Sequence, residues 1–318
     1  MILRQLGRST LSVAPMALGT NVFGWTADRA ASFAQLDACI DSGLNLIDTA
    51  DVYSAWVPGH KGTESETVIG EWVEARGSTA RDKLVIASKV ALLPSRPGLS
   101  RANIMAACDE SLKRLKVDVI DLYQAHRDDA ETPLEETLGA FGELVAAGKV
   151  RAIGASNYTG TRLTEALAIS GAHGLPRYET MQPLYNLYDR AAFEADLQPA
   201  CEAHDVSVIS YFSLANGFLT GKYRSEADFG KSVRSVRIKP YLNDRGQRIL
   251  AALDQVAQST NATPAQVALA WLMTKPSVVA PLASATNMDQ FKDLVAAAHL
   301  SLDGAALDLL ESASAPDK

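Results

Sequence analysis
Leu44-Asn-Leu-Ile-Asp-Thr-Ala-Asp-Val-Tyr53 decides the fold of this chain. The stretch opens as a short apolar run and breaks into polar, titratable residues at Asp48, with Tyr53 in the segment that follows. A short apolar run bounded in this way reads as a buried strand. A carboxylate at the mouth of that strand and a phenol one loop later suggest a site. An Asp beginning a turn and a Tyr packed beneath a loop are the plain alternative. The two readings separate on whether other strands end in the same way.

Other strands do. Val13 to Leu18 is an apolar run that stops at Gly19-Thr20-Asn21. Leu84-Val-Ile-Ala-Ser88 stops on Lys89, and Val119-Ile-Asp-Leu-Tyr-Gln-Ala125 stops on His126. Val150 to Gly154 leads to Ser156-Asn157, Glu179 to Met181 leads to Gln182, and Ser207 to Ser210 leads to Tyr211. Ser277 to Ala280 is the last run. Helical patterns lie between them. Asp28 to Asp41 is closed by Gly43. Thr63 and Glu66 have the spacing of a capping box for a helix that runs to about Gly77. Ser100 opens a helix through Leu112 and Leu115. Thr132-Pro-Leu-Glu135 combines a cap, a proline at the first helical position and a capping-box glutamate, and Gly148 closes that helix. Further helices are expected over about 160–170, 192–204, 244–259, 264–274 (capped by Thr263-Pro-Ala-Gln266), 287–298 and 303–313. Residues 2–13 read as a small hairpin that turns at Gly7-Arg8-Ser9.

Eight apolar runs alternating with helices describe an α/β fold, a (β/α)8 TIM barrel whose parallel strands are covered on one face and filled on the other. The hairpin precedes the first barrel strand. The wide interval between the seventh and eighth strands holds a long insertion, roughly 215–263. With no break in composition, residues 1–318 are expected to form a single barrel domain. A doubly wound open sheet is the alternative, but no Gly-x-Gly-x-x-Gly follows the first strand. Gly217-Phe-Leu-Thr-Gly-Lys-Tyr223 is a poor phosphate loop, because three rather than four residues separate its glycines and Tyr stands where Ser or Thr is needed.

The 318-residue chain is 47% hydrophobic and 21% charged, which suits a large core and argues against disorder. Its net charge of -7 leaves no basic excess for non-specific nucleic-acid binding. Cys39, Cys108 and Cys201 are scattered and odd in number, so neither a disulfide framework nor a metal site is expected. No stretch approaches the roughly 18 apolar residues of a membrane span, and the N-terminus lacks the apolar core of a signal peptide. A cytoplasmic location is expected on that basis. Asn157-Tyr-Thr159 and Asn261-Ala-Thr263 then match the glycosylation pattern by chance.

Functional groups in such barrels gather at the C-terminal ends of the strands. Asp48, Tyr53, Lys89 and His126 therefore converge from three adjacent strands, although a rim lysine and a satisfied core histidine would account for two of them singly. Tyrosine ordinarily titrates near 10, too high for efficient proton transfer near neutrality. A neighbouring lysine ammonium is expected to favour the phenolate and lower that value, with Asp48 holding the lysine charge. A neutral histidine can hydrogen-bond a carbonyl oxygen and orient it. This set donates a proton to a developing alkoxide. It has no nucleophile–base pair, so the electrons must come from a hydride-carrying cofactor.

Asp48-Thr-Ala-Asp-Val-Tyr53, Lys89 and His126 look like the Asp/Tyr/Lys/His tetrad of the aldo-keto reductases, and the resemblance covers essentially the whole chain. It implies a nicotinamide cofactor held without a Rossmann fold, NADP with NAD as the second choice. It also implies reduction of an aldehyde or ketone to an alcohol, or the reverse, with Tyr53 as general acid. By the same resemblance Ser156, Asn157 and Gln182, beside Asp48, hold the carboxamide and Tyr211 stacks on the nicotinamide. Gly19, Thr20 and Asn21 approach the cofactor from the first loop. Phe212-Ser213-Leu214 stand where the family has Ser-Pro-Leu. The segment from Leu214 to Lys222, with Asn216 and Gly217, resembles the pyrophosphate segment, where glycines allow close backbone approach and the lysine adds charge.

Ser284, Thr286 and Gln290 fall in the segment that serves the adenosine end. The family often has a glycine and then a basic residue there, whereas Ala283-Ser284-Ala285-Thr286-Asn287 contains neither Lys nor Arg. Leu294 stands where an adenine-contacting Asn is common. NADPH is thus expected to be preferred with reduced discrimination. Lys222, Lys231, Arg234, Arg237 and Lys239 either compensate or form a solvated loop. Substrate contacts are expected from Phe23, Trp25 and Trp56, together with His126. The aromatics suit an apolar or ring-shaped carbonyl compound, and His60 and Lys61 leave room for a sugar. The expected partner is a small carbonyl or alcohol, with no nucleic acid, no membrane and an open oligomeric state. Two other function classes fit the same residues. One is a cofactor-binding regulatory or redox-sensing subunit with weak reductase activity, as in relatives that serve as channel partners. The other is a lyase or aldolase using Lys89 as a Schiff base.

Overall fold
The chain opens with the hairpin β1 (Arg4–Gln5) and β2 (Ser12–Val13), which turns where expected: Ser9 N donates to Leu6 O at 3.0 Å. Eight parallel strands follow: β3 (Ala17–Gly19), β4 (Leu46–Asp48), β5 (Val85–Val90), β6 (Ile120–Ala125), β7 (Val150–Ser156), β8 (Tyr178–Gln182), β9 (Ser207–Val208) and β10 (Leu282–Ala283). Their order is β10-β3-β4-β5-β6-β7-β8-β9, and Val278 bridges Val208 to close the ring. The chain is a (β/α)8 barrel with an N-terminal hairpin. This computed structural model describes residues 1–231 and 235–316.

Side chains alternate across a strand, so every second residue faces the barrel axis. Leu46, Val85, Ala87, Leu122, Ala152, Ile209 and Leu282 fill the lower interior together with Leu6, Leu11 and Val13 of the hairpin. The hairpin therefore plugs the N-terminal end. Arg4 fastens it there, donating to Val278 O at 3.0 Å and Met273 O at 3.1 Å. Two residues above this dry layer, the same faces become polar: Leu46 is followed by Asp48, Ala87 by Lys89, and Leu122 by Gln124 and then His126. The outer faces pack beneath the helices in the main core.

The helices are α1 (Arg29–Ser42), α2 (Glu64–Arg76), α3 (Ser78–Arg81), α4 (Arg101–Leu115), α5 (Leu134–Ala146), α6 (Gly160–His173), α7 (Gln198–Ala203), α8 (Asp244–Thr260), α9 (Pro264–Met273), α10 (Met288–Ala297) and α11 (Gly304–Ser314). Asp28, Ser100 and Thr263 cap α1, α4 and α9 as their positions predict, and Thr263 with Gln266 forms a full capping box. The long interval after β9 holds short 3-10 turns at Ala215–Thr220, Glu226–Asp228, Ser235–Arg237 and Lys239–Tyr241 before α8.

Several expectations fail locally. Thr63 makes no side-chain cap on α2 and sits at φ 76. Glu66, its expected box partner, is buried and accepts instead from Arg114 and Ser88 of neighbouring elements. Thr132 is not the cap of α5: Pro133 takes that place, Thr132 Oγ1 donates to Asp129 at 2.9 Å, and Glu135 is exposed. The helix expected over 192–204 opens with a π turn at Phe193–Leu197 before α7. The last strand lies further along than Ser277–Ala280 because Pro281, which has no N–H, divides it. Val279 N and Leu282 N, on either side of the proline, donate to Val208 O and Ser210 O, and β10 pairs with β3.

Candidate active site
Asp48, Lys89 and Tyr53 meet at the upper end of β4 and β5. Lys89 is fully buried. Its Nζ donates to Asp48 Oδ2 at 2.6 Å, to the Thr49 carbonyl at 2.8 Å and to Tyr53 Oη at 3.0 Å. An ammonium has three N–H groups and no acceptor, so these three oxygens use all of them. Tyr53 Oη is then an acceptor towards Lys89. Its own hydroxyl donates to Asp48 Oδ2 at 3.5 Å, a long contact, and it lies at the wall of the cavity above. The other Asp48 oxygen accepts from Gln182 Nε2 at 2.8 Å. Burial draws Lys89 below its ordinary value, and the Asp48 carboxylate opposes that change.

Tyr53 departs from the expected direction. Burial first, and then the Asp48 carboxylate, push the phenol well above 10. The lysine was expected to lower it, but a site this dry penalises phenolate more than one ammonium already paired to a carboxylate relieves it. The phenol is therefore protonated throughout the neutral range, the form an acid must have. His126 stands beside it with ring centroids 5.8 Å apart. Burial, with the charges of Lys89 and Arg127, lowers His126 well below 6.5, so its imidazole is neutral at pH 7. Its Nδ1 has no partner among the described residues.

A cavity of about 1100 Å³ opens over this group. Asp48, Tyr53 and His126 line it, as do Ser156, Asn157, Gln182 and Tyr211 at the ends of the later strands. Tyr211 Oη donates to Asn157 Oδ1 at 2.8 Å, and Asn157 Nδ2 donates to the His126 carbonyl at 2.9 Å. Gly19 and Asn21, the stretch Phe212-Ser213-Leu214, Asn216, Gly217 and Lys222, and Ser284, Thr286 and Gln290 complete the wall from the first, seventh and eighth loops. Gly19 meets a real steric demand, since a Cβ there would lie 2.8 Å from Ser284 Oγ. Asn216 and Gly217 adopt φ 57 and φ 96, which turns the chain in the left-handed region beside Lys222.

Three expected site residues do not line the cavity. Lys89 is buried beneath it, against Tyr53. Thr20 is buried behind the wall and donates its hydroxyl to the Asp48 carbonyl at 2.8 Å. Phe23 is 0% exposed and packs into the main core, turned inward where its N–H donates to the Thr20 carbonyl at 2.9 Å. Trp25 and Trp56 do reach the rim, packed edge to face at 6.3 Å, with Trp56 also 5.7 Å from the Tyr53 ring. His60 serves the loop instead. Its Nδ1 pairs with Ser54 Oγ at 2.8 Å, and Glu64 accepts from Lys61 N at 2.8 Å. Thr26, Thr220, Asp293 and the start of α9 at Thr263–Ala265 also line the cavity. None of these was legible as a site residue; the Thr263 motif marks a helix start and says nothing of what that start faces. Lys231 and Arg237 line the cavity too, whereas Arg234 lies outside the described residues.

The aldo/keto reductase family model matches residues 15–315. The chain belongs to the aldo/keto reductase family. It is 36% identical to Protein tas of Escherichia coli (strain K12), over 97% of this chain and 96% of that relative. It is 34% identical to the uncharacterized oxidoreductase YrpG of Bacillus subtilis (strain 168), over 96% and 93% respectively. A probable voltage-gated potassium channel subunit beta of Arabidopsis thaliana is 30% identical, over 91% of this chain and 89% of its own length. Family membership makes this aldo/keto reductase an oxidoreductase. Among its described residues no helix is long and apolar enough to cross a membrane, and no group of His, Cys, Asp or Glu could hold a metal ion.

Proposed function
We propose that the chain is an NADP(H)-dependent reductase of aldehydes or ketones, also competent in reverse, with Tyr53 as general acid. One observation carries this reading: Lys89 spends its three N–H groups on Asp48, Thr49 and Tyr53, and the Tyr53 hydroxyl, which has only a long 3.5 Å bond to Asp48, lines the cavity where a ligand can compete for its proton. A bound nicotinamide supplies the hydride. The chain's own residues then do the following. Neutral His126 hydrogen-bonds the carbonyl oxygen and orients it. Tyr53 gives its proton to that oxygen as alkoxide character develops. The Lys89 ammonium, 3.0 Å away and held by Asp48, meets the phenolate that remains. Trp25 and Trp56 narrow the entrance and limit water.

The residues present fit the cofactor. The cavity exceeds the roughly 300–1,000 Å³ of a single small ligand, which leaves room for a dinucleotide with a substrate. Ser156, Asn157 and Gln182 would take the carboxamide, and Tyr211 the ring face. The turn at Asn216 and Gly217, with Lys222, would take the pyrophosphate. Asn216 Oδ1 is buried there without a partner among the described residues. For the adenosine 2′-phosphate, Lys231 and Arg237 line the same cavity as Thr286 and Gln290 and offer the charge that residues 283–287 lack. The same reading takes residues 1–318 as one barrel working on small molecules in the cytoplasm.

A regulatory or redox-sensing subunit is the second reading, favoured by the similarity to the potassium channel subunit beta. A Schiff-base mechanism is disfavoured, because a nucleophilic amine needs a free lone pair and Lys89 is enclosed by three acceptors. A panel of aldehydes, ketones and sugars assayed by NADPH oxidation separates these. Multiple turnovers on members of the panel support the reductase. Tight cofactor binding without turnover on any of them favours the regulatory role, and borohydride trapping of a substrate on Lys89 favours the aldolase.

A further inference from the structure
Behind the Tyr53–Lys89 pair lies a buried charge cluster that the chemistry above leaves unused. Asp51 is 1% exposed. Its N–H donates to the Lys89 carbonyl at 3.3 Å, and its own carbonyl accepts from Thr63 N at 2.7 Å, so the residue is pinned to β5 at Lys89 itself. Its Oδ1 has no hydrogen-bond partner among the described residues. Glu66 of α2, 0% exposed, stands close by and accepts from Ser88 Oγ at 2.5 Å and from Arg114 Nε of α4 at 2.7 Å. The other groups that interact electrostatically with Asp51 are Lys89 on β5, Tyr53 after β4, Tyr123 on β6 and Arg96 after β5.

Two carboxyl groups facing one arginine in a dry space cannot both carry full charge cheaply. Glu66 holds the arginine and the serine. Asp51 has an oxygen with nothing, so Asp51 is the group that yields. Burial first, and then the Glu66 charge, push it up to about 7, against smaller opposing effects from Arg114, the Val52 N–H and Lys89.

We propose that Asp51 is a positioning residue for proton transfer at Tyr53. Ionised, its carboxylate tightens the hold on the Lys89 ammonium and opposes a phenolate at Tyr53. Protonated, it removes that opposition and the phenol releases its proton more readily. The inference rests on Tyr53 acting as the general acid. It makes the rate of reduction depend on a group that never touches the substrate.

The test is a pH profile of NADPH-dependent benzaldehyde reduction. In the wild type, kcat is expected to fall several-fold as the pH rises through about 7, where Asp51 ionises. Asp51→Asn, neutral at every pH, should keep the fast low-pH value across that range with KM within about twofold. Glu66→Gln removes the neighbouring charge that raises Asp51 most, so its inflection should move to lower pH. A third measurement needs neither variant nor turnover: the Asp51 carboxyl carbon of the cofactor-free wild type, followed by carbon-13 NMR, should titrate at the same midpoint as kcat. An Asp51 carboxyl already ionised well below that midpoint overturns the proposal. So does an Asp51→Asn profile that keeps the wild-type inflection, or an effect confined to KM. Undiminished turnover in Tyr53→Phe is a different failure, that of the general-acid reading, and it is read from a different variant.

Discussion
In the proposed mechanism Tyr53 and Lys89 serve one proton, and the 3.0 Å bond between them would make each residue's contribution depend on the other. Removing the ammonium leaves a phenol that cannot become phenolate in a dry site. Removing the hydroxyl leaves an ammonium with nothing to stabilise. Lys89→Met is therefore expected to lose activity comparably to Tyr53→Phe, and the double variant little more than either alone. Steady-state kcat/KM for the four proteins checks this, and fully multiplicative losses would show that the two act separately. At this scale the sequence was informative about which residues meet and uninformative about their state. Asp48, Lys89 and His126 each end a strand and could be named from that alone. The direction in which Tyr53 shifts depends on how little water reaches it, which no spacing of residues reveals. Asp51 sits in the same motif and looks like any loop aspartate until its unpartnered oxygen is seen.

Two elements that border the cavity are expected to set what it accepts. The loop from β4 to α2 carries Trp56 over Tyr53 and is braced by Ser54, His60 and Glu64 beneath it. With Trp25 it offers large rigid surfaces at the entrance. Trp25→Ala and Trp56→Ala should weaken transition-state binding of a bulky aromatic aldehyde by about 1–3 kcal/mol and affect a small aliphatic one less. Equal changes in kcat/KM for both substrates, in both variants, would place specificity elsewhere. The second element is the excursion between β9 and α8, which brings Lys231 and Arg237 to the cavity wall. If these cations meet a 2′-phosphate, NADPH binds more tightly than NADH, and Lys231→Ala with Arg237→Ala narrows the gap. Fluorescence titration with both cofactors measures it; tighter NADH binding in the wild type would refute the claim.

Across the whole molecule, the architecture was legible because one pattern repeats. Short apolar runs end in polar residues, and helices separate them, so strand ends and cavity floor could be placed together. What escaped were features set by contacts distant in sequence. Glu66 abandoned its capping box for Arg114 and Ser88, Phe23 turned into the core, and the last strand divided at Pro281 to serve both β9 and β3. The start of α9 lines the cavity, although its sequence marks only a helix start. The whole arrangement amounts to a dry floor, a three-way lysine and a phenol at the wall of a large cavity.

The most direct test of that arrangement is single-turnover aldehyde reduction by NADPH-loaded Tyr53→Phe, measured beside the wild type. The substitution removes one hydroxyl and keeps the ring that packs against Trp56 and His126. The account predicts a loss of roughly 10²–10⁴-fold in rate with NADPH affinity nearly unchanged. A rate near that of the wild type would contradict it.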